Sequence, residues 1–169
     1  DRVDSMCILG VIVSNTLSFK MHVNNIVVKA NRSFYALKTL HAHGLDGQAL
    51  WDVTRTTLVA QLLYASPAWW GFLKADDKSR LQSLLTKAQR YGYLPCKFDT
   101  LDTLCESLDQ TLFHSTMYNT KHVLHQLLPP PKETGYNLRH RSHSLTIPSG
   151  VTNTMKQNFI NRKLFYDIY

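Results

Sequence analysis

One proline constrains this sequence more than any other residue. Pro67 sits within Leu62-Leu63-Tyr64-Ala65-Ser66-Pro67-Ala68-Trp69-Trp70-Gly71-Phe72, with helical patterns on both sides. Its ring removes a backbone donor and restricts the residue before it, so no unbroken helix is expected through the stretch. Two of the three tryptophans follow at once, and aromatic side chains each bury roughly 150–250 Å². The run holds no carboxylate, histidine or cysteine. It is predicted to be a structural joint: Pro67 ends one helix and the tryptophans pack the next.

Upstream, Val23, Ile26, Ala30, Phe34 and Leu37 recur at three- and four-residue steps, the period of a helix with one buried face. This predicts a helix over about 20–40, stopped by Gly44. Asp46 is the expected N-cap of a second helix, about 47–64, with a broad apolar surface of Leu50, Trp51, Val53, Leu58 and Leu62. Asp76 and Asp77 open a third, with Leu81, Leu84, Leu85, Ala88 and Tyr91 as its stripe and Gly92 past its end. Shorter helices are expected over about 100–107, 109–119 (capped by Asp109) and 120–128.

Ahead of the helices, Ser5–Val13 is apolar and β-branched. With a turn at Ser14-Asn15-Thr16 and a return at Leu17-Ser18-Phe19 it predicts a hairpin, Gly10 marking a bulge or a close backbone approach. Pro129-Pro130-Pro131 reads as a polyproline spacer. Residues 136–150 are polar and irregular, and Met155, Phe159, Ile160, Leu164 and Ile168 support a terminal helix. The expected fold is mainly α: a short N-terminal β-hairpin (1–19), a helical bundle (20–128), and an irregular basic tail ending in a helix (129–169).

Charge bears on partners. Nineteen Lys and Arg oppose twelve Asp and Glu, a net +7, which favours a polyanion. Within 132–169, Lys132, Arg139, Arg141, Lys156, Arg162 and Lys163 face only Glu133 and Asp167; the alternative is a solvated tail that aids solubility. Cys7, Cys96 and Cys105 are scattered and odd in number, which argues against a disulfide framework and for an intracellular setting, cytoplasm and nucleus. No apolar run approaches the ~20 residues that span a bilayer, so no membrane partner is expected.

Catalytic patterns are missing. There is no Walker loop and no dinucleotide-binding glycine motif. His122 and His125, and His140 and His143, lie one turn apart, but no third and fourth ligand follow at zinc spacing. Asp76-Asp77, the one adjacent carboxylate pair, is accounted for by helix capping. A flexible segment, Tyr136-Asn137-Leu138-Arg139-His140-Arg141-Ser142-His143, combines an aromatic with two arginines and suits phosphate contact and base stacking. The same residues also suit a tail that packs Tyr136 and Leu138 on the helices.

Several of these stretches together resemble one family, the C-terminal part of the reverse transcriptase of LINE-type (non-LTR) retrotransposons of the jockey and CR1 kind. Leu9-Gly10-Val11, Leu17-Ser18-Phe19 and His22-Val23 are similar to its "LGV…LSW…HI" segment, and Tyr64-Ala65-Ser66-Pro67-Ala68-Trp69-Trp70-Gly71 to its "YGSPVWWG" stretch. Tyr91-Gly92-Tyr93-Leu94-Pro95, His122-Val123-Leu124-His125, Leu127-Leu128-Pro129 and Tyr136-Asn137-Leu138-Arg139 follow in the family's order. The resemblance implies a hairpin beside the primer strand, where Gly10 allows close approach. It also implies a helical thumb gripping an RNA/DNA or DNA duplex through phosphates.

Lys29, Arg32, Lys38, Lys87 and Arg90 are the thumb candidates, joined by Arg139 and Arg141 in the tail. The family's catalytic aspartates, with their Tyr/Phe-Ala-Asp-Asp turn, have no counterpart here. The palm that carries them and its Mg²⁺ would precede Asp1, so the chain alone is expected to be inactive as a polymerase, with no catalytic, metal or cofactor site of its own. The rival expectation is a non-catalytic protein-interaction module using a Trp69–Phe72 surface.

Overall fold

The structure, a computed structural model, describes residues 3–132 and 143–166. It is mainly helical, with a two-stranded antiparallel hairpin at the N-terminus followed by helices. Two compact units divide it, Asp1–Cys105 and Glu106–Tyr169.

In the first unit β1 (Ser5–Ile8) pairs with β2 (Val11–Ser14), Ile8 opposite Val11 and Ser5 opposite Ser14. The turn is therefore Leu9-Gly10, not Ser14-Asn15-Thr16. Both turn residues have positive φ, 47° and 85°, as a two-residue type I′ hairpin turn requires. Gly10 thus makes the turn rather than a bulge. Leu17-Ser18-Phe19 does not return as a strand: Leu17 takes a left-handed φ of 56° and Phe19 becomes the N-cap of α1 (Lys20–Ala42).

Helix α1 buries Val23, Ile26, Ala30, Phe34 and Leu37, the stripe its spacing predicts. It ends in a Schellman arrangement, Gly44 N–H donating to His41 O (3.0 Å) and Leu45 N–H to Leu40 O (3.1 Å). Glycine is required there because its φ is +93°.

The next helical run is α2 (Gly47–Thr54), a π-helical turn (Arg55–Val59) and α3 (Ala60–Leu63). Asp46 occupies the N-cap position in extended conformation without a side-chain hydrogen bond. Thr54, Thr56 and Thr57 bond back to Leu50 O, Asp52 O and Val53 O at 2.8, 3.0 and 2.6 Å. Such back-bonding loosens a helix, here where the π turn forms. Leu50, Thr54, Leu58 and Leu62 stay buried across it.

At the joint, Ala65 adopts left-handed φ (+52°) before α4 (Ser66–Trp69) and a 3₁₀ turn (Trp70–Phe72). Pro67 does not end the earlier helix, which stops at Leu63; it lies in the first turn of α4, where its missing N–H is harmless. Trp69 is fully buried and donates Nε1–H to Tyr64 O (2.9 Å), and Trp70 is buried beside it, ring centroids 5.8 Å apart. The Trp69–Phe72 docking surface is thereby corrected: both indoles are core, and truncating Trp69 to alanine is expected to cost about 3–5 kcal/mol.

Helix α5 (Ala75–Arg90) lies beside α1 and completes the core with Leu81, Leu84, Leu85 and Ala88. Cys7 and Cys96 are exposed free thiols, while Cys105 is buried in the core.

Helix α6 (Leu101–Tyr118) is one element where two were expected. Asp109 does not cap it. In the second unit Asp109 is buried and pairs with Arg162 (Nη2···Oδ2 2.5 Å), while buried Lys163 pairs with Glu106.

The predicted helix at 120–128 is also absent, leaving turns and a 3₁₀ turn (His125–Leu127). Asn119 Oδ1 accepts from Lys121 N–H and His122 Nδ1 from Leu124 N–H (3.0 and 3.2 Å), local bonds that compete with helix.

The prolines are not a free spacer. Pro131 bridges Leu145, with Lys132 N–H to Ser144 O at 2.7 Å and Thr146 N–H to Pro130 O at 2.9 Å. The terminal helix is split into α7 (Asn153–Lys156) and α8 (Phe159–Leu164), because Asn158 caps the latter by accepting from Ile160 N–H. Phe113, Phe159 and Leu164 form this unit's core. No helix of the described residues is long and apolar enough to cross a membrane.

Candidate nucleic-acid interface

Helix α5 carries the charge signature of a stable helix at both ends. Asp76 and Asp77 lie in its first turn and Lys87 and Arg90 in its last, each complementing the local end of the dipole. With Leu81, Leu84, Leu85 and Ala88 committed to the core, helical geometry sends Ser79, Ser83, Thr86 and Arg90 to the other face and leaves Lys78 and Gln82 half-buried on the flank. Those residues, with Ala75, Lys87 and Asp102, line a groove of about 750 Å³.

The groove is lined by polar residue types, largely through their aliphatic stems, and is biased towards positive charge. Three cations line it against one carboxylate, Asp102. Lys78 Nζ pairs with Asp102 Oδ1 (3.2 Å) and lies 4.8 Å from the Trp70 ring centroid; the same oxygen accepts from Trp70 Nε1 (3.3 Å). Gln82 Oε1 accepts the Leu101 N–H (2.8 Å) and so fixes the start of α6 against α5. The Ser83 and Thr86 hydroxyls donate to Arg80 O (2.7 Å) and Gln82 O (3.2 Å). Aromatic faces hold the remaining cations: Lys87 Nζ lies 4.6 Å from the Phe34 centroid, and the Arg90 guanidinium 5.3 Å from that of Tyr91.

The sequence-predicted residues divide. Lys87 and Arg90 both line the groove. Lys38, also on α1, falls about 40° around from Phe34, the residue beneath Lys87, at 100° per residue. Lys29 and Arg32 are exposed on α1 but fall about 140–160° from Phe34, so they and the groove do not form one patch. Gly10 is in the hairpin turn, where an added Cβ would meet only Tyr64 Cε1 at 3.8 Å; its φ, not crowding, demands glycine. Arg139 and Arg141 lie outside the described residues.

Sequence reading missed Lys78, Ser79, Gln82, Ser83 and Thr86. The available signal was the period: polar residues at 79, 83, 86 and 90 trace one face opposite the leucines.

A second polar feature sits under the hairpin. His22 is buried, edge-on to Trp69 (5.1 Å), and its Nδ1 accepts from Ile12 N–H (3.4 Å). Burial first, and then the Lys29 charge, holds its pKa below the ordinary histidine value.

Among the described residues no three His, Cys, Asp or Glu side chains converge into a group able to hold a metal ion. Compared with protein-family models, with curated proteins and with solved structures, the chain has no match in any of the three.

Proposed function

We propose that this chain is a nucleic-acid-binding, thumb-like piece of an RNA-directed DNA polymerase of the non-LTR retrotransposon kind. It holds the phosphate backbone of an RNA/DNA or DNA duplex along α5 and has no polymerase chemistry of its own. The observation that supports this most directly is the α5 groove, lined by Lys78, Lys87 and Arg90 together with the hydroxyls of Ser79, Ser83 and Thr86. Cations on a rigid element suit phosphates, which position a duplex without reading its sequence. The motif order described above favours the family, and the groove favours the binding mode. The sequence has no Tyr/Phe-Ala-Asp-Asp turn, so template-dependent incorporation with Mg²⁺ is expected to be nil.

The test is duplex affinity against salt concentration. With about three phosphates neutralised, log K falls against log salt with a slope of roughly −2 to −3. Lys87→Gln and Arg90→Gln each flatten the slope by about 1, and Asp102→Asn, which removes the groove's carboxylate, tightens binding. Lys29→Gln with Arg32→Gln reports whether the duplex also reaches the far side of α1. Binding that is undetectable at low salt, or indifferent to salt, overturns the proposal.

A further inference from the structure

The C-terminal end of α5 presents an aromatic ring that helix formation does not require. Gly92 N–H donates to Gln89 O (3.0 Å) and Tyr93 N–H to Ala88 O (2.9 Å). This pairing satisfies two of the last carbonyls and fixes the backbone on both sides of Tyr91. Tyr93 turns inward, 6% exposed, with its ring 6.4 Å from Phe34. Tyr91 stays 47% exposed, its centroid 5.8 Å from that of Tyr93. One ring is an anchor and the other is displayed.

Two cations lie over the displayed ring, where a phosphate can draw them aside. Arg90 lies 5.3 Å and Lys87 Nζ 6.0 Å from its centroid, and both also line the groove. Dipole complementarity accounts for basic residues at this helix end. It gives no reason for a large aromatic at the C-cap, where a small polar residue would end the helix without leaving apolar surface in water.

We infer that Tyr91 is a stacking platform for an unpaired nucleobase, the first beyond the duplex, while Arg90 and Lys87 contact the phosphates on either side of it. This rests on the nucleic-acid reading above and narrows its ligand to a duplex with a single-stranded extension. A π face that already attracts cations takes any base as they turn to the phosphates, because every base has a π face. The extension is therefore recognised with little sequence preference.

The experiment compares a blunt duplex with the same duplex carrying a short overhang whose first unpaired base is 2-aminopurine. It uses the full chain as wild type, Tyr91→Leu and Tyr91→Trp, with thermal melts to establish that each variant folds. The overhang is expected to raise wild-type affinity by about fivefold or more and to quench the probe. Tyr91→Leu loses both effects but keeps blunt-duplex affinity, and Tyr91→Trp retains them.

An overhang that adds nothing, or a gain that survives in Tyr91→Leu, overturns the stacking site and leaves duplex binding intact. If neither ligand binds at low salt, the nucleic-acid reading falls and the stacking site with it. Should Tyr91→Leu melt early, Tyr91→Trp decides: loss of quenching in that folded variant overturns the inference, and retained quenching supports it.

Discussion

The Tyr64 hydroxyl donates to the Leu9 carbonyl at 2.9 Å, joining residues 55 apart in sequence. The hydrogen bond ties the tip of the β1–β2 hairpin to the start of the joint that precedes α4. An isolated two-stranded hairpin is marginal in water, so its order depends on such tethers and on Val11, which reaches the core. Tyr64→Phe removes the donor and nothing else. Stability is expected to fall by about 0.5–1.5 kcal/mol, towards the lower end because Tyr64 is half exposed. Urea unfolding measures it, and hydrogen exchange at β1 amides locates it.

Leu9 itself offers a gain. It is 85% exposed and held at φ 47°, a left-handed conformation that costs an ordinary residue roughly 1–2 kcal/mol. Leu9→Asn creates the Asn-Gly pair favoured in type I′ turns and gives up almost no buried surface. An increase in unfolding free energy of about 0.5–1 kcal/mol is expected; an unchanged or lower value would show that the turn is not strained.

His22 makes stability depend on pH. With Nδ1 accepting from Ile12 N–H, the ring is neutral, and protonation would set two N–H groups against each other. Burial and Lys29 lower its folded pKa, so the unfolded chain takes up a proton at higher pH than the folded one. Stability is therefore full above the ordinary histidine value and declines as pH falls below it towards the folded pKa. His22→Asn keeps an acceptor and removes the titration. Denaturation midpoints at pH 7.5 and 5 should differ less in the variant than in wild type.

In the second unit, Asp109 and Arg162 form a partly buried pair in which Asp109 Oδ1 has no partner. Arg162→Met strands the carboxylate and is expected to cost about 3–5 kcal/mol. Adding Asp109→Leu removes the stranded charge and should recover most of that loss. A double-mutant cycle by urea unfolding measures the coupling.

Much of the helical body was legible because it is local. The α1 stripe and the glycines that end α1 and α5 act within one or two turns of themselves. The misses share a different cause. Asp109 resembles a cap because its partner Arg162 is 53 residues away. The hairpin turn hides in Leu9-Gly10 because leucine gives no sign of a left-handed residue, whereas Ser14-Asn15-Thr16 looks like a turn. The proline run reads as a spacer because nothing near it announces Ser144 and Thr146. At the groove the reading found the last-turn cations but not the serines, threonine and glutamine between them, which in sequence resemble any solvated helix face.

The π turn at Arg55–Val59 bears on how this protein tolerates changes of length. Leu50, Thr54, Leu58 and Leu62 are four residues apart, and in a plain α-helix twelve residues at 100° each would leave Leu62 about 120° around from Leu50. One surplus residue absorbed by the wider turn reduces that to about 20°. The surplus is therefore removable. Deleting exposed Thr57 should restore uninterrupted α-helix with its flanks still facing inward and with melting little changed. The same deletion at Ser83 in α5 would rotate everything beyond it out of register and unfold the unit. Circular dichroism melts of the two shortened chains compare them directly.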